Sequence, residues 1–154
     1  MTEDETHQSE KDRIEDRIKS GANWFFCIAG LSLLNSILFI PTGKWNFSAG
    51  LGIAQLIDVI GLELINAIGN AGYIVVSLLN MIADGIFVFF GIFARKKCSR
   101  AFIAGLIVYG LDAGVFLAVQ DYMEAGFHIF VLFLIAGGFK ARLMLREDAT
   151  FFAP

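Results

Sequence analysis

Four stretches of the chain run apolar for about twenty residues each, at about 21–40, 73–94, 101–120 and 122–139, with polar clusters between them. An apolar helix of roughly 20 residues crosses ~30 Å of hydrocarbon, so each stretch is long enough to span a membrane. The first ends at "PTGKWN", a turn that places Trp45 at an interface, and Trp24 lies near its other end. The second and third are joined by "RKKCSR", and the last closes on Lys140, Arg142 and Arg146.

A fifth stretch, "FSAGLGIAQLIDVIGLELIN" at 47–66, has a different pattern. At 100° per residue, Ser48, Gln55, Asp58, Glu63 and Asn66 share an arc of about 140°. This predicts an amphipathic helix, lying in the interface or crossing with its polar stripe buried. Charge decides between them. With four spans and cytoplasmic termini, eleven of the twelve Lys and Arg lie inside, all but Lys44. With five spans the best orientation leaves eight inside and four outside. Basic loops stay on the cytoplasmic side, which favours four spans and an in-plane helix. Gln55, Asp58, Glu63 and Asn66 are then expected to face water or headgroups, and Leu56, Ile57, Ile60 and Leu64 lipid or the bundle.

Ahead of the first span, 1–9 is polar and acidic and expected to be unstructured. "SEKDRIEDRIKS" then reads as a helix capped by Ser9, with Lys11/Glu15 and Glu15/Lys19 at i,i+4 spacing. Ile14 and Ile18 share a face, so this helix lies on the membrane surface or stands solvated. The expected fold is all-α: an antiparallel four-helix transmembrane bundle with an additional amphipathic in-plane helix between spans one and two. Its parts are a tail and juxtamembrane helix at 1–20, one transmembrane domain at 21–145 and a cytoplasmic tail at 146–154.

Composition agrees. The chain of 154 residues is 56% hydrophobic and 18% charged, with net charge −3. Soluble domains are nearer 45–50% and about 25%. The small charge and the edge placement of the basic residues argue against a nucleic-acid partner; the lipid bilayer is the expected one. Cys27 and Cys98 form neither a C-x-x-C pair nor a zinc spacing, and read as unpaired thiols. The first span lacks a small-x-small cleavage site and is expected to stay as an anchor.

The candidate chemistry lies in the polar residues inside the spans. Tyr73, Ser77, Asn80, Asp84 and Gly91 line one face of the second span, and Ala101, Gly105, Tyr109, Asp112 and Gln120 one face of the third. His128 lies in the fourth, with Glu124 one turn before it, and the first contributes Asn35. Asp84, Asp112 and His128 lie about 16, 12 and 9 Å from the outer ends of their helices. A lipid-facing carboxylate costs on the order of 3 kcal/mol on insertion scales, so both aspartates should turn inward. The candidate cluster is Asn80, Asp84, Tyr109, Asp112 and His128, with Asn35 and Glu124 at its margin.

Such a cluster is a hydrogen-bonded core that fixes helix register, or a proton or cation relay, or a small-ligand pocket. His128 with two aspartates has no short ligand spacing, so no metal is assigned. "YGLD" at 109–112 loosely resembles the G-x-G-D motif of intramembrane aspartyl proteases but lacks its first glycine. With no phosphate loop, nucleophile elbow or Ser/His/Asp arrangement, no catalytic residue and no cofactor are assigned. Gly110 and Gly114 form a G-x-x-x-G that suits packing within the bundle or a homo-oligomer.

Through "FFGIFARKK" (89–97), "YGLDAGVFLAVQD" (109–121) and "GFHIFVLF" (126–133), the chain resembles a group of small bacterial four-span inner-membrane proteins of unknown function. The similarity extends over about 22–141. It implies a bacterial inner-membrane location and carries over no activity, cofactor or site residue. The expected role is a structural or accessory membrane protein without enzymatic activity. The alternatives are a small transporter or channel-like protein with an Asp/His relay and, third, an intramembrane enzyme.

Overall fold

The computed structural model describes residues 3–42 and 50–151 and is helical almost throughout. Lys44, Trp45 and Ser48, which carried expectations above, lie outside the described residues. The helices are α1 (Glu3–Thr42), α2 (Gly52–Ile68), α3 (Asn70–Arg95), α4 (Ser99–Ala118) and α5 (Tyr122–Phe151). Four contain segments long and apolar enough to cross a membrane: Gln8–Leu38, Asn70–Arg95, Ser99–Ala118 and Tyr122–Arg146. The chain is an all-α, multi-pass membrane protein.

α1 packs against α3 and α5, and α4 against α5 and α3, which closes a ring of four helices. Short turns make the neighbours α3, α4 and α5 antiparallel. Both turns use a left-handed residue, Lys97 (φ 62°) and Gln120 (φ 64°). In each, a backbone N–H reaches back five residues: Cys98 to Phe93 O at 3.1 Å and Asp121 to Phe116 O at 2.9 Å. These bonds satisfy helix-end carbonyls that a bilayer could not.

The core follows the apolar stripes. Phe25 lies among Phe87, Phe90 and Phe102 with ring centroids 6.0–6.4 Å apart. α1 and α5 touch backbone to backbone at Gly21 and Gly138, where an added Cβ would stand 2.6–2.7 Å from the opposing Cα. Outside, large apolar side chains are open, Leu111 at 70% and Phe133 at 78%. So wide an apolar surface suits lipid, not water.

One end of the bundle gathers basic residues. Lys97 pairs with Glu15, Arg142 Nε donates to the Lys97 carbonyl at 2.5 Å, and Arg95 Nε donates to Asn23 Oδ1 at 2.9 Å. We call this the basic end.

Three local expectations change. α1 is continuous, so Ser9 lies inside it and caps nothing, and helix begins at Glu3 where unstructured chain was expected. Ile18 is fully buried in the core and Ile14 packs against that core, so their face meets protein and not a membrane surface. At the other terminus, α5 runs on through Phe151.

The amphipathic helix expected between spans one and two is present as α2, but its polar stripe is divided: Glu63 and Asn66 are exposed, whereas Gln55 and Asp58 turn to the protein. Asp58 is 2% exposed, and Gln55 bonds to Glu124 of α5. α2 lies antiparallel along α3, with Gly61 against Val76, Ile65 against Gly72 and Asp58 bonded to Asn80. Gly69, at φ 61°, makes the tight reversal between them. A helical wheel gives the stripe without saying whether water or protein meets it. The charge count is equally blind, because a helix that packs beside the spans without crossing leaves the same eleven-to-one distribution.

Candidate functional site

The first turn of α2 begins inside the bundle. Its cap residue, Leu51, offers no side-chain hydrogen bond. The first N–H groups of a helix have no partner within it, and hydrocarbon supplies none. Asp112 of α4 supplies them. Its Oδ2 accepts from Gly52 N at 2.8 Å and its Oδ1 from Ile53 N at 3.0 Å. A carboxylate here also faces the positive end of the helix dipole. Asp112 lies six residues before the end of α4, about 9 Å short of the end opposite the basic one. Gly52 permits the approach: a Cβ there would meet the Phe116 ring at 2.8 Å and Asp112 Oδ1 at 3.1 Å.

His128 completes this cluster. Fully buried, it points Nδ1 at the Glu124 carbonyl at 2.9 Å and Nε2 at Asp112 Oδ2 at 3.1 Å. A carbonyl only accepts, so Nδ1 carries a hydrogen. The contact at Nε2 then requires one more proton, on the imidazole or on the carboxyl. Either placement leaves the pair neutral overall, as a buried pair in a low-dielectric interior should be. Tyr109 stacks on the imidazole with centroids 4.6 Å apart, and Phe116 covers it at 4.7 Å.

A second cluster lies between α1, α2 and α3. Ser36 Oγ donates to Asp58 Oδ2 at 2.8 Å, and Asn80 Nδ2 donates to Asp58 Oδ1 at 2.5 Å. One turn along each helix, Ser32 and Asp84 face each other, with Asp58 within electrostatic reach of Asp84. Ser32 Oγ, Asn80 Oδ1 and both oxygens of Asp84 are buried, and none of them makes a hydrogen bond of ordinary geometry.

The five candidate residues therefore fall into two groups. Asp112, His128 and Tyr109 come together, with Glu124 joined through its carbonyl and through Gln55 Nε2, which donates to its carboxylate at 2.9 Å. Asn80 and Asp84 belong with Asp58. Asn35 is buried on α1 beside Gly50. Tyr73 and Gln120, on the predicted stripes, are exposed. Asp84 and Asp112 thus have separate surroundings, unlike a protease dyad. Sequence reasoning missed Ser32, Ser36 and the α2 N-terminus. The i,i+4 serines on one apolar helix were the available signal; the amides of Gly52 and Ile53 left none.

Beside the Asp112 cluster, an apolar groove of about 350 Å³ opens between α2, α3 and α4, lined by Ile53, Leu56, Ile86, Leu111 and Val115 among others. Gly110 and Gly114 face away from the bundle, where an added Cβ would meet nothing within 4 Å, so they do not pack within it. Cys27 and Cys98 are free. Among the described residues, no three His, Cys, Asp or Glu are grouped to hold a metal. No protein-family model, curated protein or solved structure matches the chain.

Proposed function

We propose that this chain is a non-enzymatic integral membrane protein of structural or accessory type. It lies in a bacterial inner membrane with both termini cytoplasmic. The observation that carries the functional reading is the use made of Asp112: both its oxygens are occupied, by two backbone amides and by His128. A group that passes protons must release its partners. Releasing these would leave the α2 N-terminus without acceptors inside the bundle, at a cost of about 1–3 kcal/mol for each N–H.

The orientation is supported by the gathering of Glu15, Arg95, Lys97 and Arg142 at one end and by the excess of basic residues at cytoplasmic edges. The bacterial setting rests on the resemblance of residues 89–133. The outward face of Gly110 and Gly114 is open to close approach by a second copy, which makes a homo-oligomer part of the proposal.

The test is proton flux into proteoliposomes enclosing a pH-sensitive dye. An accessory protein gives no flux above empty vesicles. Flux that depends on the protein and disappears in Asp112→Asn would replace this reading with the relay.

A further inference from the structure

The geometry points to a binding site for one alkali cation, Na⁺ in the first instance, formed by Asp84, Asn80 and Ser32 between α1 and α3. This inference is independent of the role assigned to Asp112, because the two clusters share no residue.

Three observations carry it. Asp84 is only 7% exposed, Asn80 2% and Ser32 not at all, yet four of their oxygens make no hydrogen bond of ordinary geometry. A buried carboxylate without a donor is costly, and more so in a protein that lipid surrounds. Second, the atoms converge. Asn80 and Asp84 are one turn apart on α3, Ser32 faces Asp84, and Ser36, one turn beyond Ser32, meets Asn80 through Asp58. Third, no Lys, Arg or His among the described residues pairs with Asp84, and an ion the size of Na⁺ or Ca²⁺, which holds oxygens at ~2.4 Å from itself, would supply the missing counter-charge.

The donor chemistry selects the ion. Hydroxyl, amide and carboxylate oxygens are hard ligands, and no soft or imidazole donor joins them, so transition metals are disfavoured. The ligand set separates Na⁺ from Ca²⁺. Asp58 already has a donor on each oxygen, which leaves Asp84 as the one carboxylate free to ligate. Ca²⁺ asks for six to eight oxygens, more than the four open here. Bound there, the ion would tie α1 to α3 directly and to α2 through Asp58.

Thermal unfolding of the purified protein in detergent tests this, with NaCl replacing choline chloride at constant ionic strength. Na⁺ should raise the midpoint, by about 5 °C once its concentration is roughly tenfold above Kd, and further with the logarithm of concentration. Asp84→Asn should match or exceed the wild type without sodium and lose the response. Ser32→Ala should keep it but need about tenfold more Na⁺, and Glu63→Gln, on the exposed face of α2, should titrate as wild type. Line broadening of ²³Na resonance by the wild-type protein, reversed by excess Na⁺, gives a readout that does not depend on the variants folding. Equal midpoints in NaCl and choline chloride, or a sodium response that survives in Asp84→Asn, would overturn the proposal. So would stabilisation by acid without any effect of Na⁺, which would assign a proton to Asp84, or saturation by Ca²⁺ at concentrations where Na⁺ has no effect.

Discussion

Asp112 is tolerated in an apolar run because its acceptors meet donors that have no other partner. Removing them in steps should separate charge from hydrogen bonding. Asp112→Asn keeps one acceptor oxygen for the α2 amides and should lose about 1–3 kcal/mol; Asp112→Leu leaves Gly52, Ile53 and His128 without it and should lose more. Thermal denaturation in detergent gives that order, and equal midpoints for Leu and wild type would contradict it. Gly52→Ala examines the same contact from the other side. Its new methyl meets the Phe116 ring, which should cost about 1–3 kcal/mol. Phe116→Leu should recover part of that loss in a double-mutant cycle, since the two sites are in contact.

Among the elements, α1 and α5 depend on the smallest side chain at their crossing. Gly138→Leu should force them apart and lower folded yield sharply, whereas Gly137→Leu, which faces open space, should behave as wild type. Size-exclusion profiles of the two variants make the comparison. The α4–α5 turn carries a smaller strain. Gln120 is exposed and left-handed, so Gln120→Gly should stabilise the protein by roughly 0.5–1 kcal/mol, an effect visible as a higher unfolding midpoint. The existence of the five helices was legible, because apolar periodicity and turn residues are local signals, but the start of α1 at Glu3, in polar and acidic chain, was not. The fate of the α2 stripe was not, since Asp58 looks the same on a wheel whether it meets water or Ser36 and Asn80.

For the whole molecule, the four spans and their order could be read from run lengths and basic clusters, and so could the inward turn of Asp84, Asp112 and His128, from the cost of a carboxylate in lipid. How those residues divide between two clusters could not, because that depends on where α2 inserts, and α2's partners are backbone amides with no side-chain signature. Topology has its own check. In a background without Cys27 and Cys98, a cysteine introduced at Asn70 should be labelled from outside the cell and one at Ser99 should not; the reverse pattern would invert the molecule. Asp112 as the cap of α2 is what joins these elements, and hydrogen–deuterium exchange tests that role most directly. Peptides covering the first turn of α2 should exchange slowly in the wild type, and at least about tenfold faster in Asp112→Leu, as an opening equilibrium weakened by more than 1.4 kcal/mol requires. The buried stretches of α4 and α5 beyond this cluster should keep their protection. Fast exchange around Gly52 and Ile53 in the wild type, or protection unchanged by the loss of Asp112, would contradict the cap.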